Sequence, residues 1–146
     1  MTDRRLPDEP RWIGESALLA IHAQQIERYG GSHGVLDQSV VLSAPARPIN
    51  RWSYDFSADL ADLAAASLVG YARAQGFNDG NKRTGLACAL VFLALNHAPL
   101  SVPPEELYAL TMAVANNRAD DAAVSAYFRD RLEHPQPRAC SLSDLL

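Results

Sequence analysis

Apolar positions recur along this chain mostly at helical spacing. In residues 15–29, Leu18, Leu19, Ile21, His22 and Ile26 define one face, and Gly30-Gly31 supplies a stop, which predicts a first helix. Leu36, Val40 and Val41 predict a short second helix over 35–44, ended by Pro45 and Pro48. "PARPINRWSYDFS", residues 45–57, carries two prolines and three aromatics with no helical stripe, so it reads as extended or irregular, with a small hairpin or flap at 49–56. Ser57 is placed to cap the Ala-rich helix that follows. Residues 81–96 form the most apolar helix, with Leu86, Leu90, Leu93 and Ala94 on one face and Val91 and Phe92 widening it. Pro104, followed by Glu105 and Glu106, starts another helix, and a last one covers about 120–132.

This pattern predicts an all-α bundle with one non-helical excursion. Its 146 residues and 48% hydrophobic content suit one domain. We divide it into an N-terminal extension (1–11), the domain (12–133) and a flexible C-terminal tail (134–146). The start, "MTDRRLPDEPRW", has no apolar leader core and no later segment has the length of a membrane span, so a soluble cytoplasmic protein is expected, without membrane partners. A net charge of -4 does not favour direct nucleic-acid binding. Cys88 and Cys140 lie far apart with no ligand spacing, which supports neither a disulfide framework nor a zinc site.

The exception to this apolar pattern is a polar knot, "GFNDGNKRTG", between the two most apolar helices. It breaks one helix and opens another, so the backbone N–H groups from about Gly80 onward lack partners within the helix and face the positive end of its dipole. Lys82 and Arg83 fall in that first turn, where a cation is disfavoured by some tenths of a kcal/mol unless an anion joins it. Lys82 is also the only Lys among 13 basic residues. Asp79 can cap the helix or hold a divalent cation, since Mg²⁺ takes one or two carboxylates with phosphate oxygens and water. An ordinary interhelical turn with an Asp cap and solvated cations accounts for the same residues, and the Walker pattern GxxxxGK[ST] is absent.

The run Phe77-Asn78-Asp79-Gly80-Asn81-Lys82-Arg83-Thr84 resembles the motif HxFx(D/E)GNxR of the Fic/Doc superfamily, and its death-on-curing (Doc) branch in particular. "IHAQQIERYGGSHGVLD", "ARPINRWSYD" and "ALVFLALN" are similar to the corresponding Doc stretches, so the resemblance covers roughly residues 12 to 132. It implies a compact Fic-like helical bundle with the motif between two central helices. It further implies Mg²⁺ at Asp79, an anion hole at Gly80-Asn81, nucleotide phosphates at Arg83, and Phe77 as the anchor of the loop. Lys82 matches the Doc branch, and Leu86 stands where nucleotidyl-transferring relatives have a second Arg. Both favour transfer of phosphate from ATP over transfer of AMP.

The departure is Gln75, at the position of the family's catalytic His. A carboxamide donates and accepts hydrogen bonds but takes up no proton near neutral pH. A slow enzyme, one with another substrate, and a silent nucleotide- or protein-binding module all remain open, with a plain structural domain as a third class. Among the histidines, His22 reads as a packed core residue, His33 as an exposed turn residue, His97 as a cap of the long helix, and His134 as part of the tail. The resemblance also implies a protein target such as a translation factor, docked on a flap at residues 43–56 with Arg47, Arg51, Trp52 and Tyr54 as candidates. No inhibitory [S/T]xxxE[G/N] motif is present, "SVPPEE" coming nearest, so a separate antitoxin is expected.

Overall fold

The structure, a computed structural model, describes residues 8–133. Seven helices make up the described chain: α1 (Glu15–Tyr29), α2 (Gln38–Ser43), α3 (Ala46–Tyr54), α4 (Leu60–Arg73), α5 (Asn81–Leu95), α6 (Pro104–Ala115) and α7 (Asp121–Glu133). The all-α expectation is met. The only β pairing among the described residues is a single antiparallel bridge, Val35 to Phe77. The expected tail, with His134 and Cys140, lies outside the described residues.

α4 is the axis of the bundle. Every residue from Ala61 to Ala72 is buried, and α3, α5, α6 and α7 pack around it. Its run of alanines lets these neighbours approach closely. At the crossing with α5, a Cβ on Gly85 would stand 2.8 Å from Tyr71 Cβ and 3.3 Å from the Ala72 nitrogen, so only glycine fits there. α1 buries Leu18, His22 and Ile26, successive i, i+4 positions, and packs on α5.

Three local expectations are corrected. Residues 46–54 are helix α3, not a flap or hairpin. Pro45 is the N-cap and Pro48 sits in the first turn, where a missing N–H costs no intrahelical bond, so these prolines start a helix rather than prevent one. The cap of α4 is Asp59, whose carboxylate accepts from the Asp62 N–H while Asp62 accepts from the Asp59 N–H; Ser57 instead donates to Asp55. The buried stripe of α5 is Gly85, Cys88, Ala89 and Phe92 with Leu93; Leu86 and Leu90 are half-buried and Ala94 is exposed. That helix is apolar nearly all round, so periodicity alone could not select its face, and the small residues were chosen by the close crossing with α4.

Candidate functional site

The polar knot is the loop from α4 to α5, and it wraps a cavity of ≈ 380 Å³. Gln75, Asn78, Asp79, Gly80, Asn81 and Lys82 line one wall; Ala72 and Arg73 of α4, Ala115 at the end of α6, and Asn116 and Asn117 just after it complete it. Gly80, the N-cap of α5, is left-handed at φ 79° and no side chain caps the helix. The Thr84 N–H reaches the Gly80 carbonyl at 2.9 Å, so the helix bonds begin there and the N–H groups of the first turn ahead of it are open to an anion.

Asn81 acts through the loop. Its Oδ1 accepts from the Phe77 N–H at 2.9 Å and its Nδ2 donates to the Phe77 carbonyl at 3.0 Å, a pair of hydrogen bonds that closes the turn in the way a base pair would. Phe77 is 1% exposed and anchors the loop in the core, as expected.

The other side of the knot faces the end of α1 and the segment after it. The Ser32 N–H donates to Asp79 Oδ2 at 2.9 Å, the Asn78 amide donates to the His33 carbonyl, and the N–H groups of Leu36 and Asp37 donate to the Gly76 carbonyl. Arg83 does not line the cavity. Its guanidinium donates to the Gln25 carbonyl at 3.3 Å and the Gly30 carbonyl at 2.9 Å, and lies 5.9 Å from the Tyr29 ring centre. The charge that disfavoured Arg83 at the start of α5 is thus answered by the negative end of α1. Two cations line the cavity: Lys82 is exposed on its wall, and Arg73 donates to the Val114 carbonyl at 3.2 Å and the Ala119 carbonyl at 2.8 Å.

His22 is packed, as expected, but packed on the motif itself. It is 4% exposed, its ring stacks on Phe77 at 3.7 Å and 8°, and its Nε2 lies 2.8 Å from the Asp79 carbonyl. Sequence reasoning missed that contact, along with Asn116 and Asn117. The i, i+4 spacing of His22 to Ile26 signalled burial but not the neighbour across the fold. His33 and His97 do not line the cavity; His97, at φ 64°, ends α5 beside Asn96, whose amide donates to the Phe92 carbonyl.

The residues expected at a docking flap are not brought to the cavity. Arg51 pairs with Asp55 at 2.8 Å, and Arg47 lies over Gly70, 3.9 Å from Asp121. Trp52 sets its edge on Trp12 and packs against the core, while Tyr54 is 72% exposed. No group of three or more His, Cys, Asp or Glu side chains suited to a metal occurs among the described residues.

An anchored Phe, an acid and a glycine leading into an uncapped helix form one constellation, and the chain that carries it is similar to known proteins. The Fic/DOC family model covers residues 12–93. The chain is 36% identical over 119 residues to the protein kinase doc of Escherichia phage P1, spanning 82% of this chain and 94% of that protein. The chain belongs to the Fic/Doc family. The match begins at Trp12, which stacks on Phe92 of α5, and it takes in α1 to α4 and the whole cavity-forming loop. Among the described residues no helix is long and apolar enough to cross a membrane.

Proposed function

We propose that this chain is a Doc-like toxin or toxin descendant that transfers the γ-phosphoryl group of ATP to a hydroxyl of a protein target, a translation factor being the class the family resemblance implies. The observation that carries this reading is the convergence of Lys82, Asp79, Gln75 and the uncapped end of α5 on one cavity. The kinase named among its relatives supports phosphate as the group moved. Half-buried Leu86, which carries no charge, supports phosphate over AMP.

In this reading the open N–H groups of α5 and the Lys82 ammonium hold phosphate oxygens. Mg²⁺ suits the donor set, because Asp79 keeps Oδ1 while Oδ2 is engaged by Ser32, and one carboxylate is enough for an ion that arrives with phosphates. When bound, it neutralises phosphate charge. The target hydroxyl oxygen forms the new bond to phosphorus, the bond from the γ-phosphorus to the bridging oxygen breaks, and ADP leaves with the electron pair. Gln75 orients the hydroxyl by accepting its hydrogen bond; the proton passes to water or a phosphoryl oxygen late in the transfer, since a carboxamide cannot take it. Positioning and charge stabilisation supply most of phosphoryl-transfer catalysis, so such an enzyme is slow rather than dead.

For the target we favour docking on residues 33–36 in place of α3. The Leu36 N–H and the Gly34 carbonyl bond inward to the motif loop, so by the alternation of an antiparallel pair the Val35 N–H and carbonyl face the outer edge, open to an added strand. A separate antitoxin partner is part of the same reading.

A second reading is favoured by Gln75 alone: a silent module that binds nucleotide without transfer. Incubating the protein and a cell extract with Mg²⁺ and ATP, labelled at the γ- or the α-phosphate in separate reactions, decides between them. γ-Label on a protein, lost in Lys82→Ala, supports the kinase. α-Label on a protein supports AMP transfer, ATP binding without labelling supports the module, and no ATP binding sinks both readings.

A further inference from the structure

We propose that His22 is a positioning residue, whose ring N–H sets the direction of the phosphate-binding end of α5 by holding the carbonyl of Asp79. A carbonyl oxygen only accepts, so the 2.8 Å contact requires a proton on Nε2 of His22. Asp79 and Gly80 share the peptide plane to which that carbonyl belongs. Fixing it fixes the left-handed turn at Gly80, where φ is 79°, and hence where the first N–H groups of α5 point.

The ring itself has little freedom. It is 4% exposed, lies face to face with Phe77 at 3.7 Å, and a Cβ on Gly80 would meet its Cδ2 at 3.7 Å. α1 therefore grips the motif at three depths: His22 on the Asp79 carbonyl, the Gln25 and Gly30 carbonyls on Arg83, and, just past its end, the Ser32 N–H on the Asp79 carboxylate. Of the three, His22 is the buried side chain, and its stack on Phe77 couples it to the loop's own anchor. His22 does not line the cavity, so it is not a replacement for the missing base. Its influence on phosphate binding rests on the function proposed above; its hold on the loop does not.

The test uses the full chain. Long-range nitrogen–proton NMR correlations of the His22 ring are expected to show a proton on Nε2; a neutral ring with bare Nε2 overturns the proposal, whether or not any variant folds. His22→Phe keeps a ring on Phe77 and removes the donor. The Thr84 and Phe77 amides, bonded to Gly80 and Asn81, are expected to exchange about tenfold faster, the worth of one hydrogen bond. Mg-ATP and inorganic pyrophosphate are expected to bind about ten- to hundredfold more weakly, the range for loss of a supporting contact, with partial recovery in His22→Gln, whose amide can donate. Unchanged exchange in a folded His22→Phe overturns the positioning role. If the parent protein binds neither ligand while exchange does quicken, the phosphate reading fails and the positioning role stands.

Discussion

α4 and α5 lie side by side at the centre of the bundle, yet their N-termini are finished in opposite ways. The end of α4 is closed: Asp59 and Asp62 fill each other's N–H positions, and Arg129 of α7 neutralises both carboxylates, with Nε 2.8 Å from Asp59 and Nη2 2.7 Å from Asp62. The end of α5 is open: its cap is a left-handed glycine, no side chain bonds to its first turn, and a Lys stands beside it on a cavity wall. Both helices solve the same problem of orphan donors. One solves it with carboxylates of its own chain, which serves stability, and the other is left open on the cavity, at the phosphate site proposed above. Arg83 shows the same division within a single residue pair: its charge is spent on the end of α1, and Lys82 keeps its own for the cavity.

Changes at the two ends should therefore separate cleanly. The largest effect is expected at the open end. Gln75→His places a base beside the proposed phosphate site, and γ-phosphate transfer to a target should rise about 10²- to 10⁴-fold, read by labelling or by growth arrest on expression. No change in either, with folding confirmed, would break the account of Gln75 as a lost base.

Next comes the closed end. Arg129→Met removes the paired guanidinium from two neighbouring carboxylates, one of them 4% exposed, and leaves Asp62 the Arg51 guanidinium at 3.9 Å. Urea unfolding should report a loss of about 3 kcal/mol, while calorimetry of the folded fraction finds ATP affinity unaltered. A matching loss of ATP affinity would show that the two ends are coupled.

Lys82→Ala should do the reverse. Removing one charged partner of a phosphate is worth about 1.5 to 3 kcal/mol of ATP binding, roughly ten- to hundredfold in Kd, with stability within about 0.5 kcal/mol because the side chain is exposed.

The smallest effect is a dependence on acid. Asp55, just before α4, is held down to about 2 by the Ser57 hydroxyl first and by Arg51 second. Asp59 is also lowered: burial pushes its carboxyl up, and the hydrogen bond from Arg129 with the Asp62 N–H outweighs that. Both groups lie below their usual 3.8 when folded, so their contribution is complete above about pH 4 and is lost as the pH falls below that, for Asp55 toward about 2. Melting curves between pH 6 and 2 should show this limb, and Asp55→Asn should flatten it.

The sequence by itself determined most of the helices and the polar knot between α4 and α5. Periodicity marks α1, alanine-rich composition marks α4, Pro104 starts α6, and the eight residues from Phe77 to Thr84 mark the polar loop, because these are local properties of spacing, composition and glycine. Two stretches were locally ambiguous. Residues 45–57 have a composition that suits a flap, and they became α3 because their prolines fall where a helix can begin. α5 is too uniformly apolar to declare its buried side, and the close crossing at Gly85 declared it.

Only the tertiary structure decided how the charges of the knot are shared. Gln25, Gly30 and Ser32 lie 58, 53 and 47 residues before their partners Arg83, Arg83 and Asp79, and His22 lies 57 before Asp79. No spacing rule links them, because the link is the packing of α1 on α5. That packing supplies carbonyls to Arg83, an N–H to the Asp79 carboxylate and a ring N–H to the Asp79 carbonyl. Lys82, Gln75 and the open end of α5 remain on the cavity, where an anion can reach them.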